Sequence, residues 1–215
     1  MFKRLLLLSL TGLCLTAPAF AQNALTLSPL PRDNQNLDTY QSVNQDGSPL
    51  SVSLRLMDAP QRARVFHPNG QGRLSDAFSP YAYRNVVNTQ LFHLSVRNNE
   101  GRVLNADQLK IKVSMNGLPY TYLDANTLTK QWRHYYYLNT NTITGAPDFM
   151  EQERAIVAER YINKHSFKAQ DLPPGGQAHG IIAIPALEKA GNLRIQVSHM
   201  GQRTPQNFVF DFQAR

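Results

Sequence analysis

Five of the nine tyrosines, Tyr120, Tyr122, Tyr135, Tyr136 and Tyr137, fall in one short stretch with the single tryptophan, Trp132, and with Arg133 and His134. Aromatic rings beside a cation have the chemistry of a recognition surface. They offer large, rigid contact area with a polar handle, and arginine is favoured next to them. A plainer account also fits. A short helix docking on a sheet buries part of such a cluster and leaves the rest in water. Both readings stand at this point.

Groups able to do covalent or metal chemistry are scattered. The six histidines are His67, His93, His134, His165, His179 and His199. None stands at metal-ligand spacing with a carboxylate, and no HExxH occurs, so no metal site is expected. His93 alternates with apolar residues and is predicted to point outward from a strand. His165 is predicted at a helix C-terminus, where positive charge is favoured. Glu151, Glu153 and Glu159 share one predicted helix with Arg154 and Arg160, which reads as a charge-balanced solvated face. They do not face each other across a cleft as glycosidase carboxyls do. No GxSxG or SxxK motif is present. Residues 175–180, GGQAHG, lack the lysine of a phosphate loop and read as a turn. No cofactor is expected, and binding is favoured over catalysis.

The only cysteine, Cys14, lies in a leader. Lys3 and Arg4 form a positive start, residues 5–15 are mostly apolar, and Ala19-Phe20-Ala21 supplies the small residues read by signal peptidase. Residues 1–21 are therefore predicted to be a cleavable signal peptide, with cleavage before Gln22. Leu13 ahead of Cys14 disfavours a lipoprotein anchor. The apolar run is shorter than the roughly 20 residues a membrane span needs, so no transmembrane span is expected after cleavage. The predicted location is periplasmic or secreted. Without Cys14, thiol nucleophiles and thiolate metal sites drop out.

Formal net charge is +7, two units of which sit on Lys3 and Arg4 of the leader. The basic remainder would be drawn to anionic envelope polymers, lipid headgroups or acidic partners. No run of five or six like charges occurs, which argues against nucleic acid.

The elements that must position these residues are mostly strands. Leu50 to Leu56, Phe92 to Val96, Leu109 to Met115, Leu193 to Val197 and Phe208 to Phe212 alternate apolar and polar residues, as antiparallel sheets covered on one face require. Residues 179–184, HGIIAI, form a nearly continuous apolar strand. Asn116-Gly117 and Pro173-Pro174-Gly175-Gly176 are turn signals. Residues 124–165 break the pattern as a helical insert. A helix over 147–165 is predicted, with Met150, Ile156, Val157 and Tyr161 as its apolar stripe. A shorter helix over 126–138 is predicted, with Leu128, Trp132 and Tyr135 or Tyr136 inward. Val65-Phe66 and residues 81–87 are candidate strands in a loop-rich stretch.

The strand FHLSVRNN (92–99), the turn LPPGG (172–176), the strand GIIAIP (180–185), Leu193–Val197 and the closing Phe208–Phe212 together resemble bacterial exported immunoglobulin-like β-sandwich domains of unknown function. The resemblance covers about 85–215 and implies a fold and a binding or scaffolding role. It implies no site residues. The fold expected is mainly β: an immunoglobulin-like antiparallel β-sandwich with a helical insert at about 124–165. The expected organisation is 1–21 signal peptide, 22–84 N-terminal β extension and loops, and 85–215 sandwich domain.

The function expected is an exported, non-catalytic binding or accessory protein of the cell envelope, such as a chaperone, assembly factor or complex subunit. Its partner would be another envelope protein or an anionic envelope polymer. The alternatives are a hydrolase acting on envelope polymers and a secreted enzyme inhibitor.

Overall fold

A computed structural model describes residues 25–30, 32, 41–43, 50–57, 89–139, 149–201 and 205–215. The predicted cleavage residues Ala19, Ala21 and Gln22, and the candidate strands at 65–66 and 81–87, lie outside the described residues.

The chain is mainly β, with two antiparallel sheets and two helices. Its strands are β1 (Leu27–Leu30), β2 (Gln41–Val43), β3 (Leu50–Leu56), β4 (Thr89–Asn98), β5 (Leu109–Met115), β6 (Leu118–Pro119), β7 (Gln177–Pro185), β8 (Gly191–His199) and β9 (Gln206–Ala214). The helices are α1 (Ala125–Asn139) and α2 (Phe149–His165). Sheet I has the order β1-β9-β8-β5-β6, and sheet II the order β2-β3-β4-β7. The segment before residue 58 thus contributes β1 to sheet I and β2 and β3 to sheet II.

Alternation in sequence becomes alternation in burial. Leu50, Val52 and Leu54 of β3 are buried, while Ser51, Ser53 and Arg55 are half-exposed. The inward sets of the two sheets meet in one core, where Phe92, Leu94, Val96, Ile182 and Ile184 pack with Leu193, Ile195, Val197, Phe208, Phe210 and Phe212. Phe92 of sheet II and Phe212 of sheet I touch edge to face, with centroids 5.0 Å apart. This is the layering of a β-sandwich. Each of its fully buried phenylalanines contributes roughly 1.5–3 kcal/mol of transfer free energy.

A second apolar cluster lies on the other face of sheet II. Leu91, Ile181 and Ala183 of β4 and β7, with Met57, pack against Leu123, Leu128, Ala158 and Ile162. The helices therefore form a third layer, and β7 is buried on both faces, which explains its unbroken apolar run. The free edge of β7 is covered as well. Leu123 N–H donates to Ala183 O (2.9 Å) and Phe167 N–H to Ile181 O (2.8 Å), one from each flank of the insert. The middle of an edge that could have paired with another chain is thereby capped, over Ile181–Ala183.

The apolar stripe predicted for α2 needs correcting. Ile156 is 45% exposed, and the residues that seat the helix are Ala158 and Ile162, both fully buried, while Tyr161 of the predicted stripe packs against the same cluster and stays partly exposed. The small Ala158 allows close approach to the sheet, a choice that hydrophobicity alone does not reveal. Met150 is outside the residues whose side chains are described.

The turn that carries the family-like resemblance has a physical cause. Asn98 is fully buried at the end of β4. Its Nδ2 donates to the carbonyls of Arg102 (2.8 Å), Leu172 (2.9 Å) and Pro173 (3.2 Å), and its Oδ1 accepts from Glu100 N–H (2.9 Å). The side chain pins the Leu172-Pro173 segment to the sandwich. At Gly180 a Cβ would sit 2.5 Å from the Phe167 backbone, so only glycine admits the strap that leaves α2.

Candidate functional site

Tyr120 and Tyr122 precede the helices, on the stretch that carries the chain from sheet I to sheet II. Both rings pack against the sandwich core while remaining partly exposed. Tyr120 Oη donates to Ala186 O (3.0 Å). Burial and the nearby Asp124 push the Tyr122 phenol up to about 12. Two of the five clustered tyrosines thus serve as partly buried struts in a protonated state.

Asp124 starts α1. Its Oδ1 accepts from Thr127 N–H at 2.7 Å, and its carbonyl takes the first helical bond from Leu128 at 3.0 Å. That is the pattern of an N-cap carboxylate, favoured by the helix dipole. Leu128 then anchors the helix. Trp132, Tyr135, Tyr136 and Tyr137 lie on the backbone of α1, and their side chains are outside the described residues.

Arg133 and His134 are exposed. Arg133 reaches α2, where its Nε and Nη2 donate to the two carboxylate oxygens of Glu159 at 2.9 and 3.1 Å. This bidentate fork aligns the two helices on their solvent side. Of the three carboxylates singled out in the sequence, Glu159 has this partner, and the side chains of Glu151 and Glu153 lie outside the described residues.

The β4–β7 register joins residues that sequence spacing kept apart. Ser95 lies opposite His179, which brings the rings of His93 and His179 into a stack 5.9 Å apart on the face of sheet II that carries the helices. Burial, then His179 and Arg55, lower the His93 pKa. His165 stacks on Tyr161 at 5.7 Å. Burial and Lys164 lower its pKa, so the positive charge expected at this helix end is disfavoured by desolvation. His199, 2% exposed, is lowered chiefly by burial as well. No sequence signal marked the His93–His179 pair, because it exists only through strand register.

Among the described residues, no group of three or more His, Cys, Asp or Glu could hold a metal ion. No described helix is long and apolar enough to cross a membrane. Comparison with known protein families, curated proteins and solved structures finds no match for this chain.

Proposed function

We propose that this chain is an exported, non-catalytic binding or accessory protein of the bacterial cell envelope: a chaperone, assembly factor or complex subunit. Residues 1–21 direct it to the periplasm or medium, and a sandwich of immunoglobulin-like type, built from about 85–215 together with the strands before residue 58, presents the helical layer. The Asn98 pin, the Leu172–Gly176 turn and Gly180 support that sandwich type, since they give the resemblance a common structural reason. The ligand is another envelope protein or an anionic envelope polymer.

One observation carries the reading. The helices are docked through their own apolar cluster and braced outside by Arg133–Glu159, so α1 is a fixed platform holding Trp132, Arg133, His134 and Tyr135–Tyr137. A rigid element bearing aromatics and a cation suits recognition, because little freedom is lost on binding. The test is a cross-linked pull-down from the cell envelope at low and high salt, using the parent and a variant with Ala at Trp132, Tyr135, Tyr136 and Tyr137. Loss of a discrete partner from a folded variant is the expected result. Retention of every partner by that variant would remove the helical layer as the working surface.

A further inference from the structure

Among the described residues, no second apolar cluster covers the face of sheet I that turns away from the core. Along β5 and β8 the outward pairs are Lys110 with Ser198, Lys112 with Gln196, and Ser114 with Arg194; across β9, Arg194 pairs with Asp211. At one end of this face is a cleft of about 250 Å³, lined in part by Ser114, Asn116, Asn192, Arg194 and Asp211.

We infer that this face is a binding site for an anionic, hydroxyl-rich polysaccharide, with one carboxylate-bearing ring seated in the cleft beside Arg194 and the chain running over Lys112 and Lys110. The assignment is separate from the helical layer, which lies on the opposite side of the sandwich. It rests on the export reading only for where the polymer would be met.

Charge is the first argument. Asp211, with its side chain 14% exposed, takes Arg194 Nε at 2.7 Å on one oxygen and Arg32 Nη2 at 2.6 Å on the other. Both arginines remain about half exposed, at 49% and 46%. One carboxylate thus orients two guanidinium forks and leaves one positive charge in surplus. An oriented fork loses less freedom when it grips a second carboxylate, and its planar geometry suits that group. Lys112 and Lys110, both exposed, follow in two-residue steps of about 6.8 Å along the strand. The result is a ladder of positive charge beginning at the cleft.

Fixed polar groups are the second argument. Asn116 Oδ1 accepts Asn192 N–H at 2.8 Å, and Asn116 sits so tightly over Gly191 that a Cβ there would collide with its amide. Gln196 Nε2 donates to Ser198 Oγ and to Asn207 Oδ1, both at 2.9 Å, and Ser198 Oγ donates to Asn207 Oδ1 at 2.7 Å. The amides of Asn116, Gln196 and Asn207 are held in place to meet sugar hydroxyls, with the buried Ser198 hydroxyl bracing the last two from below. The outward strand positions named here include no aromatic ring, the platform on which single-stranded nucleic acid stacks. The cleft falls below the roughly 300–1,000 Å³ of drug-sized sites, a size suited to one ring.

Affinity electrophoresis of the purified protein decides the matter, with polygalacturonate, dextran, polyphosphate or a single-stranded oligonucleotide in the gel at about 0.15 M salt, where exposed charges beyond about 8 Å are screened. Polygalacturonate should retard the protein and dextran should not. Arg194→Lys keeps the charge, loses the fork, and should weaken retardation about tenfold. The doubly substituted Lys110→Gln, Lys112→Gln changes exposed side chains only, so it reports even where Arg194→Lys disturbs Asp211, and it should weaken retardation about fivefold. The Ala set on α1 should leave retardation unchanged, which separates failure here from failure of the helical-layer reading. Absence of retardation by polygalacturonate, equal retardation by polyphosphate at matched charge, or preference for the oligonucleotide each overturns the inference.

Discussion

Replacing Asn98 by Ala removes a side chain whose hydrogen bonds all go to backbone groups, so their loss can be worked directly. Nδ2 has two protons and three carbonyl acceptors, and Oδ1 takes one N–H. That amounts to three full hydrogen bonds, each contributing about 1 kcal/mol net. Leu172 O keeps Leu104 N–H at 2.9 Å, which moderates the loss on that acceptor. Glu100 N–H and Arg102 O lose their Asn98 contacts. A loss of about 3 kcal/mol follows, or roughly 6–12 °C in melting midpoint for a chain of this size. Urea unfolding followed by circular dichroism is the assay, with the slope compared so that a change in midpoint is read as stability. Asn98→Asp sharpens the test. It keeps the acceptor for Glu100 N–H but turns an acceptor, charged at neutral pH, on three carbonyls. It should be at least as destabilised as the alanine variant at neutral pH and should recover partly as acid protonates the new carboxyl. A loss below about 1 kcal/mol for Asn98→Ala, at unchanged slope, would refute the idea that this side chain pins the turn.

Gly180→Ala should cost about 3 kcal/mol or more, because the added methyl meets backbone of Phe167 and Ser166 rather than a movable side chain; a thermal melt within about 2 °C of the parent would contradict it. Stability should also fall with acid through the imidazoles. His93, His165 and His199 are held below the ordinary 6.5 in the folded chain. The unfolded chain therefore binds protons first, and stability is full above that value and declines as pH drops below it. Melting midpoints measured from about pH 7.5 to about pH 5.5 should decrease, and His93→Gln should flatten the decrease. Asp211 does not act in that window. Burial pushes its carboxyl up, the Arg194 and Arg32 bonds and charges outweigh this, and its net lowering matters only below about pH 4. A midpoint independent of pH in the imidazole range would contradict the reasoning.

The strands were legible wherever one face is dry and the other wet. Leu50–Leu56, Leu109–Met115 and Phe208–Phe212 alternate because side chains on a strand point to opposite faces. β1 was not legible. It is four residues long and contains Pro29, a residue that argues against a strand unless the strand lies at an edge, as this one does. On α2 the sequence offered Ile156, and packing selected Ala158 instead, since close approach to Ile181 and Ala183 rewards a small residue over an apolar one. The tyrosine cluster was visible as composition. Its division between struts at Tyr120 and Tyr122 and the platform of α1 depends on where the chain crosses between sheets. The Arg32–Asp211–Arg194 triad joins a residue just past β1 to facing positions of β8 and β9, 179 residues from Arg32 to Asp211, and no local spacing announces it.

The pairing of β1 with β9 sets an order of events during biogenesis. Thr26 and Arg215 exchange backbone hydrogen bonds at 2.9 and 3.0 Å, across a separation of 189 residues. Closing a loop of that length costs roughly 5 kcal/mol of chain entropy. The core phenylalanines Phe208, Phe210 and Phe212 arrive on β9, the last of the described strands to be made. Until then, among the described strands, β8 has one neighbour and β1 has none, and the inner face of sheet II is covered only in part, by β5 and β8. Sheet I and the shared core are therefore completed only when β9 pairs with both β8 and β1. Strand order thus makes closure of the sandwich a late, long-range step of folding.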